Sequence, residues 1–547
     1  MRCGQEIVFC NGKVYTADPS VPAADSFTVC GGRIVDVGRG PEAHPGACRV
    51  DLRGRCVIPG LVDSHCHILS GIQRASMNAV ELDSGIRPEE LGAALSALAP
   101  EGADLLTAMG IDLTRGTFSA ANLDGAFPHR PVVVFSADCH ALLLNRRAME
   151  QLGIGRETED PGGDSYFVRD ESGAPTGLVI EIPAMMRCTP LITGQADSGN
   201  EKALADMLRG YAALGYTTVF DAMSADGRIP DVFPLLRRFD EEGKLTLRLS
   251  ASFCYRGGEE MDPSEALRLM KELRSGCTSR NLRMDTLKMI ADGTLEEHSA
   301  LLFEPYTDQP QNSGSELIRP VDMLRMARLA AENGFSIHIH AIGDRAVSRA
   351  LDTLCALEPS AGTQTIAHNQ LYRPEDILRI ARAGNIFFQT TPHWMAADDY
   401  TQARLGDVRF LCQFPAGTMR RNHVAVTFGS DTCLDLPGAN AFEGMYAAAA
   451  RGIDPDRLGF YPPAEEGLSR EEALAAYTIA GARQLGWEQE TGSITPGKSA
   501  DFAVLDRDVL SCPLSELRRP RVLQTWFRGN TVDDSQRTAG EQEDEQP

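Results

Sequence analysis

The 547-residue sequence predicts an α/β fold, a (β/α)8 TIM-like barrel carrying a small β-sandwich formed by both chain ends. Three observations predict it. Apolar strands alternate with helix-period segments through the middle of the chain, the pattern of βα units and a parallel sheet. Short Val- and Ile-rich runs broken by tight-turn dipeptides fill the N-terminal stretch, and the same texture returns near the C-terminus. The length exceeds what one compact core accommodates, so a large domain plus a smaller one is expected.

In chain order, the N-terminal strands run from 7 to 58, with Asn11-Gly12, Gly31-Gly32 and Arg53-Gly54 as turns between consecutive antiparallel strands. Segments 492–505 and 522–532 read as their C-terminal counterparts, so residues 1–58 and 492–532 are expected to make one composite β-sandwich domain. Residues 59–491 are then the barrel, with strands near 61–67, 217–221, 246–250, 286–291, 336–340, 365–368, 386–390 and 424–430. Helices fit the intervals; over 321–333, Met323, Ala327 and Ala330 share a face and Asn333-Gly334 supplies a stop. Apolar runs at 105–111 and 132–137 fall in the long interval after the first strand, which is assigned to an insertion at about residues 70–210. Residues 533–547 are polar and acidic and read as a disordered tail.

A net charge of −23 repels phosphate backbones and anionic lipid, which argues against nucleic acid and membrane surfaces as partners. The 14 cysteines are scattered singly with no Cys-x-x-Cys pair, as in a reduced, cytoplasmic protein. The N-terminus lacks the apolar core of a signal peptide, and no apolar stretch is long enough to span a bilayer. Oligomeric state is left open, a homodimer included.

The chemistry-bearing residues sit at strand ends. His65 and His67 end the first barrel strand two residues apart, so both imidazoles face one side and can reach one metal ion. Cys66 points the other way and reads as packed. His340 and His368 end two later strands, where barrel enzymes place catalytic groups. His338 shares the face of His340 but lies deeper, which suits a packed, hydrogen-bonded role. Asp431 follows the last strand directly; alone it would as readily be a cap, but beside the histidines it is the natural general base. Lys288 lies inside an apolar strand, where its charge needs compensation. Either an interior acid such as Asp292 pairs with it, or its depressed pKa lets it react with carbon dioxide to give an anionic carbamate.

The ordered series Pro59-Gly60-Leu61-Val62-Asp63-Ser64-His65-Cys66-His67, Gly215 through Asp221, Lys288 through Gly293, His340 through Asp344, His368, Gly429-Ser430-Asp431, Ala475 through Thr478 and Gly492 through Asp501 resembles the amidohydrolase superfamily. Within it the chain is similar to the YtcJ-like amidohydrolase family 3 branch. The resemblance implies that His65 and His67 hold one metal and His340 and His368 a second. It also implies that Lys288 is a carboxylated bridging ligand and that Asp431 is a ligand and proton shuttle. A divalent metal is therefore expected, one or two ions per chain, with zinc suited to imidazole and carboxylate donors and iron or manganese able to substitute.

The activity so implied is hydrolysis of a small non-peptide amide, such as an N-substituted formamide, an N-acyl compound or a cyclic amide, by metal-activated water. Candidate substrate contacts are His140 and Asn145 in the insertion, His393 and Trp394 after the seventh strand, and His298 in a segment that departs from many relatives. Two other readings stand beside this one. A ring deaminase acting on cyclic amidines would use the same activated water but no lysine ligand, and a scaffold or regulatory protein could share the barrel without catalysis.

Overall fold

The computed structural model describes residues 6–532 except 39–45, 77–78, 101–103, 138–140, 163–164, 189, 192–199, 226–231, 359–361, 397–398, 434–436, 452–460 and 462. The expected disordered tail, 533–547, and the substrate candidate His140 lie outside the described residues. The chain divides into two compact units, residues 1–70 with 205–547, and residues 71–204.

Eight parallel strands follow one another in sequence order through the first unit. They are β1 (Leu61–Cys66), β2 (Tyr216–Ala225), β3 (Arg248–Tyr255), β4 (Leu282–Ile290), β5 (Ser336–Ala341), β6 (Gln364–His368), β7 (Ile386–Thr390) and β8 (Val426–Phe428). Every expected barrel strand is present. β3 is buried at each of its residues, as a strand covered on both faces should be, although Arg248, Ser250 and Ser252 interrupt its apolar run. First and last strands meet where the Ser64 hydroxyl donates to the Phe428 carbonyl at 2.7 Å. The helix expected over 321–333 spans Pro320–Glu332, buries Met323, Met326, Ala327 and Ala330, and ends on Asn333.

The chain ends meet in two sheets. One contains Ile7–Cys10, Ser26–Cys30, Arg33–Gly38 and Cys48–Asp51; the other places Cys56–Pro59 antiparallel to Phe502–Leu505, which pairs in turn with Val522–Phe527. Between them Phe9 stacks on Phe27 at 4.8 Å and Phe502 on Trp526 at 5.4 Å, with Phe9 edge-on to Phe502 at 5.1 Å. Two aromatics from each end thus share one core, which is why neither end can form the sandwich alone. Gly31 and Gly32 both take positive φ, 58° and 79°, in the two-residue turn between Ser26–Cys30 and Arg33–Gly38, as the sequence expected.

Sandwich and barrel are joined by a buried ion pair. Arg248, at the start of β3 and 1% exposed, bonds to the Asp501 carboxylate, which also accepts from the Arg528 amide and the Ser499 hydroxyl, both at 2.8 Å. Asp501→Ala leaves that guanidinium buried without its anion, and a loss of about 3 kcal/mol in unfolding free energy is expected by urea denaturation. A loss below about 1 kcal/mol would mean the pair is dispensable.

The second unit is built on a six-stranded mixed sheet in the order Tyr166–Arg169, Pro175–Ile180, Ala141–Leu144, Val132–Ser136, Leu106–Ile111, Val80–Glu81. Its structure corrects one site expectation. Asn145 is fully buried; its side-chain oxygen accepts from Val132 N at 2.9 Å and Ala148 N at 3.0 Å, and its amide donates to Phe127 O at 3.0 Å and Arg130 O at 2.8 Å. Both lone pairs and both protons are spent, so Asn145 caps the helix Arg146–Leu152 and clamps a loop, with nothing left for a substrate.

Candidate metal centre

Period two along β1 carries Asp63, His65 and, just past the strand, His67 to one face. His65 is fully buried, with Nε2 3.3 Å from Asp431 Oδ1; His67 Nε2 lies 3.1 Å from the same oxygen. Among the described residues, His65, His67 and Asp431 form the group of three donors close enough to share an ion, all within 4.8 Å of one another.

Asp431 reaches this position because the end of β8 passes directly against β1. A Cβ on Gly429 would stand 2.5 Å from His65 N, so only glycine fits. The Asp431 amide then donates to His65 O at 2.8 Å, with φ at +55°, a left-handed conformation that aspartate tolerates better than most residues. Asp63 braces the segment by accepting from the Ser430 amide at 3.0 Å and hydroxyl at 2.6 Å. Burial pushes the Asp63 carboxyl up to about 7, against the pull of its Ser430 and His65 donors.

Of the other expected ligands, His368 borders this group and His340 borders His368, but neither joins the three donors within 4.8 Å. His368 takes φ +70° and holds Nδ1 3.8 Å from Asp431 Oδ2; its ring centroid is 4.4 Å from that of His340. His340 Nε2 faces Gly293 O at 3.4 Å and Asp292 Oδ1 at 3.6 Å. His338, 2% exposed, sets Nε2 3.0 Å from His65 Nδ1 and packs its ring 4.9 Å from Phe220, as a deep hydrogen-bonded residue should. Cys66 is buried, its thiol on Phe220 O at 3.3 Å.

Lys288 is 2% exposed with Nζ 3.5 Å from His65 Nε2, and it makes no ion pair among the described residues. The alternative partner, Asp292, is committed elsewhere: it accepts from Leu301 N at 2.8 Å, Ile342 N at 3.0 Å and Gly343 N at 2.8 Å. Burial lowers the Lys288 ammonium to about 8, with Asp431 opposing the shift.

These residues fit a divalent cation. Burial, and after it the charge of Lys288 or the neighbouring imidazoles, holds His65, His338 and His368 well below the ordinary histidine range, so their rings are neutral and carry a lone pair. His368 Nδ1, which faces the Asp431 carboxylate, is a buried nitrogen without a hydrogen-bond partner, a costly state for a group that does not bind something else. Neutral imidazoles, a carboxylate and an uncompensated lysine form a donor set suited to zinc, iron or manganese.

The remaining substrate candidates each have a partner within the chain. His298 Nε2 bonds Asp308 Oδ2 at 2.9 Å and its ring lies edge-on to Tyr306. His393 Nε2 meets Asn440 O at 3.0 Å. Trp394 stacks on His368 at 5.1 Å and 8° and packs against the cluster of Leu295, Ile342, Leu371 and Leu405, so one face is taken by a site imidazole. Two residues escaped the sequence reading. Asp63 was signalled by its place two residues before His65, and Gln389 by being the lone amide among the apolar residues of β7.

Fold and site together define a (β/α)8 barrel protein with a candidate metal centre at the C-terminal ends of its strands. The chain belongs to the amidohydrolase family, whose model matches residues 49–533. It is 30% identical over 453 residues to the exoenzymes regulatory protein AepA of Pectobacterium carotovorum subsp. carotovorum, covering 79% of this chain and 94% of that protein. It is 27% identical over 560 residues to the N-substituted formamide deformylase of Arthrobacter pascens, covering 96% and 98%. Its fold is similar to that of an uncharacterized metal-dependent hydrolase from Pyrococcus furiosus, with TM-score 0.71, 24% identity, and 92% and 100% of the two chains covered. No helix among the described residues is long and apolar enough to cross a membrane.

Proposed function

We propose that the chain is a metal-dependent hydrolase cleaving the C–N bond of a small non-peptide amide, with Asp431 as its proton shuttle. The observation that carries this is the convergence of His65, His67 and Asp431 within 4.8 Å. The full-length similarity to a deformylase of N-substituted formamides supports that substrate class first, with N-acyl compounds and cyclic amides next.

His65, His67 and Asp431 would hold one ion, and His340 and His368 are the donors for a second. A bound divalent ion supplies Lewis acidity, lowering the pKa of water towards neutrality and polarising the amide carbonyl. Asp431 takes a proton from the attacking water as the C–O bond forms. It returns that proton to the leaving nitrogen as the C–N bond breaks, which an amide requires because its anion is a poor leaving group. A panel of N-substituted formamides, acylated amines and lactams, assayed with zinc, manganese or iron supplied, tests the reading. Turnover of at least one class is expected; a metal-loaded protein inert on all three would contradict it.

Lys288 is the proposed carboxylated ligand. Its uncharged Nζ adds to the carbon of carbon dioxide and loses a proton, giving an anionic carbamate. With the ammonium at about 8, roughly a tenth of the amine is free at pH 7 and most of it at pH 9. Because only the free amine reacts, and with carbon dioxide rather than bicarbonate, metal-free protein given metal at a fixed concentration of dissolved carbon dioxide is expected to regain activity several-fold faster at pH 8.5 than at pH 6.5. Equal rates at that fixed concentration, or no effect of carbon dioxide, would remove the carbamate. The lysine also weighs against a ring deaminase, which would need no such ligand. One observation favours a regulatory reading, the similarity to a protein named as a regulator of exoenzymes. That reading predicts an Asp431→Asn variant with unchanged function.

A further inference from the structure

The buried amide of Gln389 touches both halves of the candidate centre. It is fully buried on β7, and its Oε1 lies 3.2 Å from His65 Nδ1 and 3.3 Å from the backbone amide of His368. Its Nε2 donates to Thr390 O at 3.1 Å, and its own carbonyl accepts from Asn369 Nδ2 at 2.7 Å.

The orientation of this amide is determined by its neighbours. Turned over, its oxygen would face the Thr390 carbonyl and its NH2 would face the His368 N–H, so that two acceptors and two donors would oppose one another. Its oxygen therefore faces His65, and an oxygen can only accept. Gln389, together with Lys288 Nζ at 3.5 Å from Nε2, favours the His65 proton on Nδ1, against the Asp431 oxygen 3.3 Å from Nε2, which can only accept there. His338 alone could not impose this, because its Nε2, 3.0 Å from the same nitrogen, can donate or accept according to its tautomer. Donation from His338 would move the His65 proton to Nε2 and block it as a ligand.

The same residue also supports the second half. His368 and Asn369 both take positive φ, 70° and 52°, a left-handed conformation that is unfavourable for histidine and better tolerated by asparagine. Gln389 satisfies the His368 amide with its side chain and the Asn369 amide group with its backbone, holding this strained pair in place.

We propose that Gln389 is the positioning residue of the centre, fixing the His65 tautomer and the His368 backbone so that both imidazoles are prepared for metal. This rests on the metal-centre reading above. The test compares Gln389→Met, which removes the acceptor at similar volume, with Gln389→Glu, which keeps an acceptor towards His65 and His368. Zinc affinity of each metal-free full-length protein is measured by chelator competition, and the tautomer is read from 15N signals of labelled histidine. Wild type is expected to show His65 protonated on Nδ1. Gln389→Met is expected to lose that signature and 10- to 100-fold in zinc affinity, with the loss in turnover falling on kcat rather than KM. Gln389→Glu is expected to keep the signature and most of the affinity. A Met variant that matches wild type in tautomer and affinity would overturn the proposal, as would Met and Glu variants losing both equally. A wild type that binds no zinc would instead overturn the metal centre itself.

Discussion

Replacing Asp431 with asparagine is expected to lower turnover by roughly 10³-fold while leaving the protein folded. Asparagine keeps the size of the side chain and one oxygen but cannot take up the proton of water. It also tolerates the left-handed backbone at φ +55°, so the Asp431 amide bond to His65 O and the Asp63 brace on Ser430 survive. Alanine would strain that backbone and confuse two effects. The measurement is kcat on the best substrate of the amide panel, with circular dichroism as the folding control. A variant within about threefold of wild type would take the proton transfer away from Asp431.

Removing divalent metal by chelation is expected to abolish turnover and to lower stability. Any ion bound to the folded chain and not the unfolded one stabilises by mass action, about 4 kcal/mol at a thousand times its dissociation constant. The thermal midpoint should therefore fall on chelation and return, with activity, on adding zinc, manganese or iron. The direction follows from the site itself, since the buried neutral imidazoles of His65 and His368, and the unpartnered Nδ1 of His368, gain a partner when an ion is present. A midpoint indifferent to chelator would contradict it.

What could be read in the sequence divides by range. The eight barrel strands were legible because a parallel strand covered on both faces is an apolar run, a local property. His65 and His67 were legible through period two, and Lys288 by being charged within such a run. The composite sandwich was legible as matching textures at the two ends, although the aromatic core that joins Phe9 and Phe27 to Phe502 and Trp526 was not. Asn145 was misread although its signal was local: an asparagine between an apolar strand and a helix is a cap by default. Gln389 stood out as the lone amide of its strand, but its role was out of reach, because its contact with His65 spans 324 residues and depends on strand register. The same holds for Trp394, whose stacking face is filled by His368, and for the left-handed turns at His368 and Asp431, which tertiary contacts impose.

Metal content of protein purified without chelator tests the central claim most directly, measured for wild type beside the His65→Ala/His67→Ala double variant. The account predicts one or two equivalents of a transition metal per wild-type chain and less than half an equivalent in a folded double variant. A wild-type chain that carries no metal and takes none up on titration, or a double variant that binds as wild type does, would contradict it.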